Sequence, residues 1–318
     1  MTDVAIRTTA LRKTYTGGKG PVPAVNGLDL EVRPGEFFGL LGPNGAGKST
    51  TMGMLTTRIA PTGGSATVAG FDVAKNPVDV RQRIGVVTQA NTMDRAVNLL
   101  ENLEFRGRFF GMSGKESRRR AMELFEEFGL AEVATRLDDH VSGGQSKRAM
   151  VCRALMHRPD VLFLDEPTAA IDPQARRRLW ELLRGLNAAG QTVLLTTHHL
   201  EEAEELCDRV AIVDHGKVLA CDTVDGIKAS AGADSVITVT FDGPAQPARE
   251  AAGKLTGVRR VEADGTDLRV HAAAPADGLL GELIATGRGH GLAVRNAATL
   301  PPSLETAFLN LTGREYRE

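Results

Sequence analysis

The chain of 318 residues is long enough for one large domain and a smaller one, each with its own core. Hydrophobic residues make up 42% and charged residues 25%, and the formal net charge is -2. That balance is ordinary for a globular protein and excludes the global basic field that recruits nucleic acid or an anionic membrane surface.

Met1 to Thr9 lacks the apolar stretch of a signal peptide. No apolar run approaches the roughly 20 residues needed to cross a bilayer as a helix, so a membrane role would draw its spanning helices from another subunit. Val4 to Thr9 and Gly27 to Val32 belong to an opening β-rich stretch, and Phe37-Phe38-Gly39-Leu40-Leu41 reads as a buried strand entering a glycine-rich loop. Ile84 to Val87 is a further strand. From Asn98 to Phe128 the pattern is helical, broken at Gly111-Met112-Ser113-Gly114. The arginine runs at 118–120 and 176–178 sit in helical patterns with glutamates and read as solvated faces. Buried strands return at Val161 to Leu164 and Thr192 to Thr196, with a helix from Pro173 to about Leu186 between them. Cys152, Cys207 and Cys221 match no metal-ligand spacing and read as reduced thiols.

After Asp222 the texture changes. Ser235 to Phe241 alternates as a strand, and Pro247 to Leu255 is a helix opened by proline. Val258 to Ala263 and Thr266 to His271 flank the hairpin signal Asp264-Gly265. A helix over about Asp277 to Gly289 and a strand at Leu292 to Arg295 complete the order β-α-β-β-α-β, and a last helix starts at Ser303 after Pro301-Pro302. The expected organisation is an α/β domain over 1–222 and a small α+β, ferredoxin-like domain over 223–318.

Gly42-Pro43-Asn44-Gly45-Ala46-Gly47-Lys48-Ser49, followed by Thr50, matches G-x-x-x-x-G-K-[ST] in full. Its glycines let backbone N–H groups turn inward on phosphate oxygens, and the following helix adds its positive end. Lys48 is expected to reach the β- and γ-phosphates of ATP, and the Ser49 hydroxyl to ligate magnesium. A second half-site follows where the strand Val161 to Leu164 ends in Asp165 and Glu166. Asp165 is expected beside magnesium, and Glu166 as the general base that polarises the attacking water.

Between these halves stands Val141-Ser142-Gly143-Gly144-Gln145. Ser142 suits the N-cap of a helix running to about His157, and the glycines leave its backbone open, a second anion site. Here the chain resembles the ABC ATPases, whose signature is Leu-Ser-Gly-Gly-Gln; Val141 replaces the leucine. The resemblance implies a phosphate-loop fold with a helical subdomain over about 92–157. It implies that Gln89 touches magnesium and relays to a membrane subunit, and that Asp172 in Ala169-Ala170-Ile171-Asp172 meets the opposite subunit. His198 matches the histidine that holds the γ-phosphate; His199 follows directly, and only its place in the motif separates the two. Tyr15 matches the aromatic that stacks on adenine.

Within that family two nucleotide domains face head to tail, with Gly42 to Thr50 of one and Ser142 to Gln145 of the other enclosing one ATP. All half-site residues occur in this chain, which implies a homodimer. Along its whole length the chain is similar to the ATPase subunits of daunorubicin-resistance-type multidrug exporters, through Leu162-Phe163-Leu164-Asp165-Glu166-Pro167, Leu194 to His198, Leu200 to Glu204, Leu206 to Ile212, Ser303 to Glu305 and Leu311 to Glu315. The resemblance implies an ABC-2-type membrane subunit as partner and a place at the cytoplasmic face of the plasma membrane. An importer ATPase, or a soluble ABC ATPase acting on ribosomes or DNA, stays open as an alternative. Only one phosphate loop is present, and the stretch from Lys48 to Ser142 is too short for a long coiled coil, which disfavours the soluble types.

Overall fold

The computed structural model describes residues 4–17, 20–231, 234–273, 278–300 and 302–312. The sequence expectations at Met1 to Asp3, Asp277, Pro301 and Gly313 to Glu315 lie outside the described residues. The chain forms two compact units that divide between Thr223 and Val224.

The first unit opens with β1 (Ile6–Gly17) and β2 (Gly20–Val32), then β3 (Phe37–Leu41), α1 (Lys48–Leu55), β4 (Gly63–Val68), β5 (Phe71–Asp72), α2 (Pro77–Arg83) and β6 (Ile84–Val87). A helical stretch follows, with α3 (Leu99–Phe109), α4 (Gly114–Glu127) and α5 (Gly143–Leu155). The unit closes with β7 (Val161–Asp165), α6 (Pro173–Ala188), β8 (Thr192–Thr197), α7 (Leu200–Leu206), β9 (Arg209–Asp214) and β10 (Lys217–Thr223).

Its main sheet has the order β10-β9-β3-β8-β7-β6. The pairs β9-β3, β3-β8, β8-β7 and β7-β6 are parallel, and β10 is antiparallel to β9. A strand inside a parallel sheet is covered on both faces, which is why β3 and β8 are unbroken apolar or Thr runs with every residue buried. Burying side chains such as Phe38, Leu40, Phe163 and Leu194 is worth about 1.5–3 kcal/mol each before entropy is charged. A second, antiparallel sheet has the order β2-β1-β4-β5. Its first two strands run much further than Val4 to Thr9 and Gly27 to Val32. They form a long ribbon with register shifts after Thr8, Leu11 and Lys13, and β2 carries Pro21 and Pro23 because it is an edge strand.

The helical stretch starts and stops on local chemistry. Asn98 and Glu101 make a reciprocal cap on α3, Ser113 caps α4, and Ser142 with Gln145 caps α5. Within the arginine runs, Arg118 pairs with Glu104, Arg119 with Glu123, and Arg178 with Glu181. Cys152 and Cys207 are buried, Cys221 is exposed, and all three are free thiols. Among the described residues no helix is long and apolar enough to cross a membrane.

The second unit comprises α8 (Val224–Ser230), β11 (Asp234–Phe241), α9 (Gln246–Ala252), β12 (Val258–Asp264), β13 (Asp267–Ala273), α10 (Leu279–Gly289), β14 (Val294–Leu300) and α11 (Leu304–Thr312). Its antiparallel sheet has the order β12-β13-β11-β14, a ferredoxin-like arrangement, over a core of Ile237, Val239, Phe241, Leu268 and Val270. The turn at Gly265, with φ +58°, joins β12 to β13. Two elements differ most from expectation. α9 stops at Ala252, and β14 is displaced to Val294–Leu300 because its pairing with β11, from Phe241↔Val294 to Val236↔Leu300, sets its extent.

Candidate functional site

β3 delivers the chain to Gly42 and α1 takes it up at Lys48, so the loop sits at the carboxyl end of the parallel strands. Gly47, the N-cap of α1, has φ +104°, and a Cβ there would lie 2.5 Å from the Ala24 carbonyl oxygen. No side chain fits. The loop wraps Lys48, whose Nζ donates to the carbonyls of Gly42 (2.5 Å) and Pro43 (3.1 Å). Burial pulls the Lys48 pKa down, while the charges of Glu166 and Asp165 raise it. A phosphate would therefore meet a cation already collected by its own loop and short of solvent. Beside it lies a cavity of about 260 Å³, lined by Pro43, Asn44, Gly45 and residues 47–50, with Ala24 and Glu166. Ala46 is buried beneath the loop instead, its carbonyl accepting from the Gly216 N–H.

Asp165 ends β7, and Glu166 follows with φ +47°, a left-handed conformation rare for a residue with a side chain. Strand pairing sustains it, since the Glu166 N–H donates to the Thr196 carbonyl at 2.9 Å. Thr196 Oγ1 also donates to Asp165 Oδ1 at 2.6 Å. The Glu166 carboxylate is held from two sides. Gln89 Nε2 donates to Oε2 at 2.8 Å, and His198 Nδ1 lies 3.1 Å from Oε1. The His199 ring lies 4.2 Å from that of His198, and the His199 backbone N–H donates to Thr197 Oγ1 at 2.9 Å.

The other sequence-derived residues lie apart from this cluster. Ser142 caps α5, accepting from the Gln145 N–H at 3.2 Å, and its own N–H donates to Gln145 Oε1 at 2.9 Å. Ser142 and Gly143 are exposed, while Gly144 packs so closely that a Cβ would lie 2.5 Å from Ala175 Cβ. Asp172 caps α6 by accepting from the N–H of that same Ala175 at 2.9 Å. Tyr15 lies on β1, 42% exposed, with Lys13 Nζ 5.2 Å from its ring centre. None of Tyr15, Ser142, Gly143, Gly144, Gln145 and Asp172 is among the residues lining the phosphate-loop cavity. The sequence motifs assign no role at the site to Thr196 or Lys147. Thr196 is hidden in an apolar strand pattern, but Lys147 is legible as a cation on the buried side of α5.

A model of the ABC transporter family matches residues 25–169, from β2 through the signature to Ala169. An AAA-domain model, described as a putative AbiEii toxin of a type IV toxin–antitoxin system, overlaps it at 135–204, without the phosphate loop. The daunorubicin/doxorubicin resistance ATP-binding protein DrrA of Streptomyces peucetius is 42% identical over 315 residues, 97% of this chain and 92% of that protein. The chain belongs to the ABC transporter ATP-binding subunits. Another ABC subunit of similar length, the Nod factor export ATP-binding protein I of Cupriavidus pinatubonensis, is 40% identical over 310 residues, 97% of this chain and 90% of that one. Among solved ABC structures, a dimeric ATP-binding cassette in a post-hydrolysis state with ADP and Pi superposes with TM-score 0.64 at 29% identity. The match covers 69% of this chain and 98% of the cassette. As an ABC ATPase the chain binds and hydrolyses ATP.

Proposed function

We propose that the chain powers a membrane exporter of drug-like or other hydrophobic compounds, working as a homodimer that closes around two ATP molecules at the cytoplasmic face of the plasma membrane. The observation that carries the catalytic part is the Glu166 carboxylate, held by Gln89 and His198 at the rim of the phosphate-loop cavity. Relatives named for daunorubicin/doxorubicin resistance and for Nod factor export support the outward direction. A separate ABC-2-type subunit supplies the membrane path.

The N–H groups of Asn44, Gly45 and residues 47–50 and the Lys48 ammonium bind the phosphates, and Tyr15 takes the adenine. The oxygens of Ser49, Asp165 and Gln89 suit magnesium, a hard cation that takes one or two carboxylates plus substrate phosphates, and Asp165 is already oriented by Thr196. Bound there, the metal neutralises charge on the phosphates. Glu166 accepts the proton of the attacking water, and His198 steadies both Glu166 and the γ-phosphate. Ser142 to Gln145 of the second protomer cover the nucleotide from the other side, with Asp172 near that seam. In one chain the exposed Ser142 lies outside the cavity lining, which is the arrangement a two-fold pair completes.

The test is co-purification from native membranes under ATP with a Glu166→Gln variant, followed by identification of the attached membrane protein. A multi-span partner whose loss raises intracellular retention of an apolar dye supports the exporter. Attachment to ribosomes or DNA, with no membrane protein present, overturns it.

A further inference from the structure

The segment that carries Gln89 has no regular structure after β6, yet its position is closely determined. Lys147 Nζ donates to the carbonyl oxygens of Thr88 (3.2 Å) and Gln89 (3.0 Å). One residue earlier, Ser146 Oγ donates to Asp138 Oδ1 at 2.5 Å. Asn91 Nδ2 donates to Asp138 Oδ2 at 2.5 Å and to Ser146 Oγ at 2.9 Å. The turn is completed by the Met93 N–H, which donates to Asn91 Oδ1 at 2.9 Å. Two adjacent residues of α5 thus grip the chain on both sides of Ala90.

Lys147 is 6% exposed. An ammonium group is strongly hydrated, and burying one is costly unless its donors are satisfied, so an apolar side chain would fill the space at lower cost. Burial lowers its pKa, and the charges of Asp165, Glu166 and Glu202 oppose that shift. The cation therefore sits where it feels the catalytic carboxylates while its hydrogen bonds go to the backbone that presents Gln89.

We propose that Lys147 is a positioning residue for ATP hydrolysis: by holding the Gln89 backbone it keeps the Gln89 side chain on Glu166. It also ties Glu166 to the segment Ser142 to Gln145, because Lys147 lies in the second turn of the helix that Ser142 caps. The proposal rests on Glu166 being the general base.

The test is a double-mutant cycle on the full-length chain, read as steady-state ATPase for wild type, Lys147→Met, Gln89→Ala and the double variant. Lys147→Met should lower kcat about tenfold with KM for ATP within about twofold, and should add less than about twofold in the Gln89→Ala background. Lys147→Arg, which restores charge and donors, should recover most of the lost kcat. Equal losses in both backgrounds, a loss confined to KM, or no loss overturns the proposal. If Lys147→Met does not fold, Lys147→Gln takes its place in the cycle. Failure of both to fold also overturns it, since a positioning role leaves the fold intact. A Glu166→Gln control keeps the two ideas apart. A normal rate there sinks the base assignment, whereas an inactive control with an additive cycle sinks the role of Lys147 alone.

Discussion

Gln89 Nε2 donates to Glu166 Oε2 at 2.8 Å across 77 residues of sequence, joining the end of one parallel strand to the end of its neighbour. The contact orients a carboxylate whose backbone is already held at positive φ. Glu166→Gln keeps the shape and removes the proton acceptor. It should bind Mg-ATP with unchanged affinity yet lose roughly 10²–10⁴ in turnover. Nucleotide titration beside a phosphate-release assay checks both halves, and a normal rate would remove Glu166 from the role of base.

Lys48→Ala removes the buried ammonium that the loop carbonyls now hold. Charge-assisted hydrogen bonds are worth roughly 1.5–3 kcal/mol each, so ATP affinity should fall at least about tenfold. Calorimetric titration of the purified variant measures it. Unchanged affinity would mean that Lys48 stays with its own loop when nucleotide binds.

The exposed Ser142, outside the cavity lining in one chain, leads to a prediction about assembly. Glu166→Gln, able to bind but not to hydrolyse, should shift from monomer to dimer when Mg-ATP is added and stay monomeric with ADP. Sedimentation velocity with each nucleotide decides it. A monomer at high protein and ATP concentration would point to a different partner chain.

His157 carries a pH prediction for stability. Its ring stacks on Phe110 with centres 3.8 Å apart, Nε2 bonds the Ile84 carbonyl at 3.0 Å, and Nδ1 is buried without a partner. Protonating Nδ1 would bury an unmet donor beside Arg106, and desolvation lowers the pKa to about 4 from 6.5. The unfolded chain therefore takes up this proton first as pH falls. The group costs little above about pH 6.5 and removes stability progressively down to about pH 4, by at most about 3 kcal/mol and by less where solvent screens the partly exposed ring. Between pH 7.5 and 4 the urea midpoint of wild type should fall relative to that of His157→Phe, because the phenylalanine variant lacks this proton uptake. Parallel curves would mean that His157 titrates normally.

Much of this protein was determined locally and could be read along the chain. The phosphate loop needs glycines at fixed places because backbone must approach phosphate and Gly47 must adopt positive φ. The caps at Ser113, Ser142 and Asp172 depend on neighbours three residues away, and β3, β8 and β7 up to Leu164 announce burial on both faces by being apolar or Thr throughout. Tertiary structure decided what depends on pairing and packing between distant segments. The length of β1 and β2 comes from their ribbon, and the placement of β14 comes from its pairing with β11. The side chains brought to Glu166 come from the ends of β6 and β8, and Thr196 reaches Asp165 from the adjacent strand. Lys147 gave no local sign of its target, because the carbonyls it holds belong to a segment with no periodicity of its own. A hydrogen bond to backbone leaves no mark on the identity of the residue that accepts it.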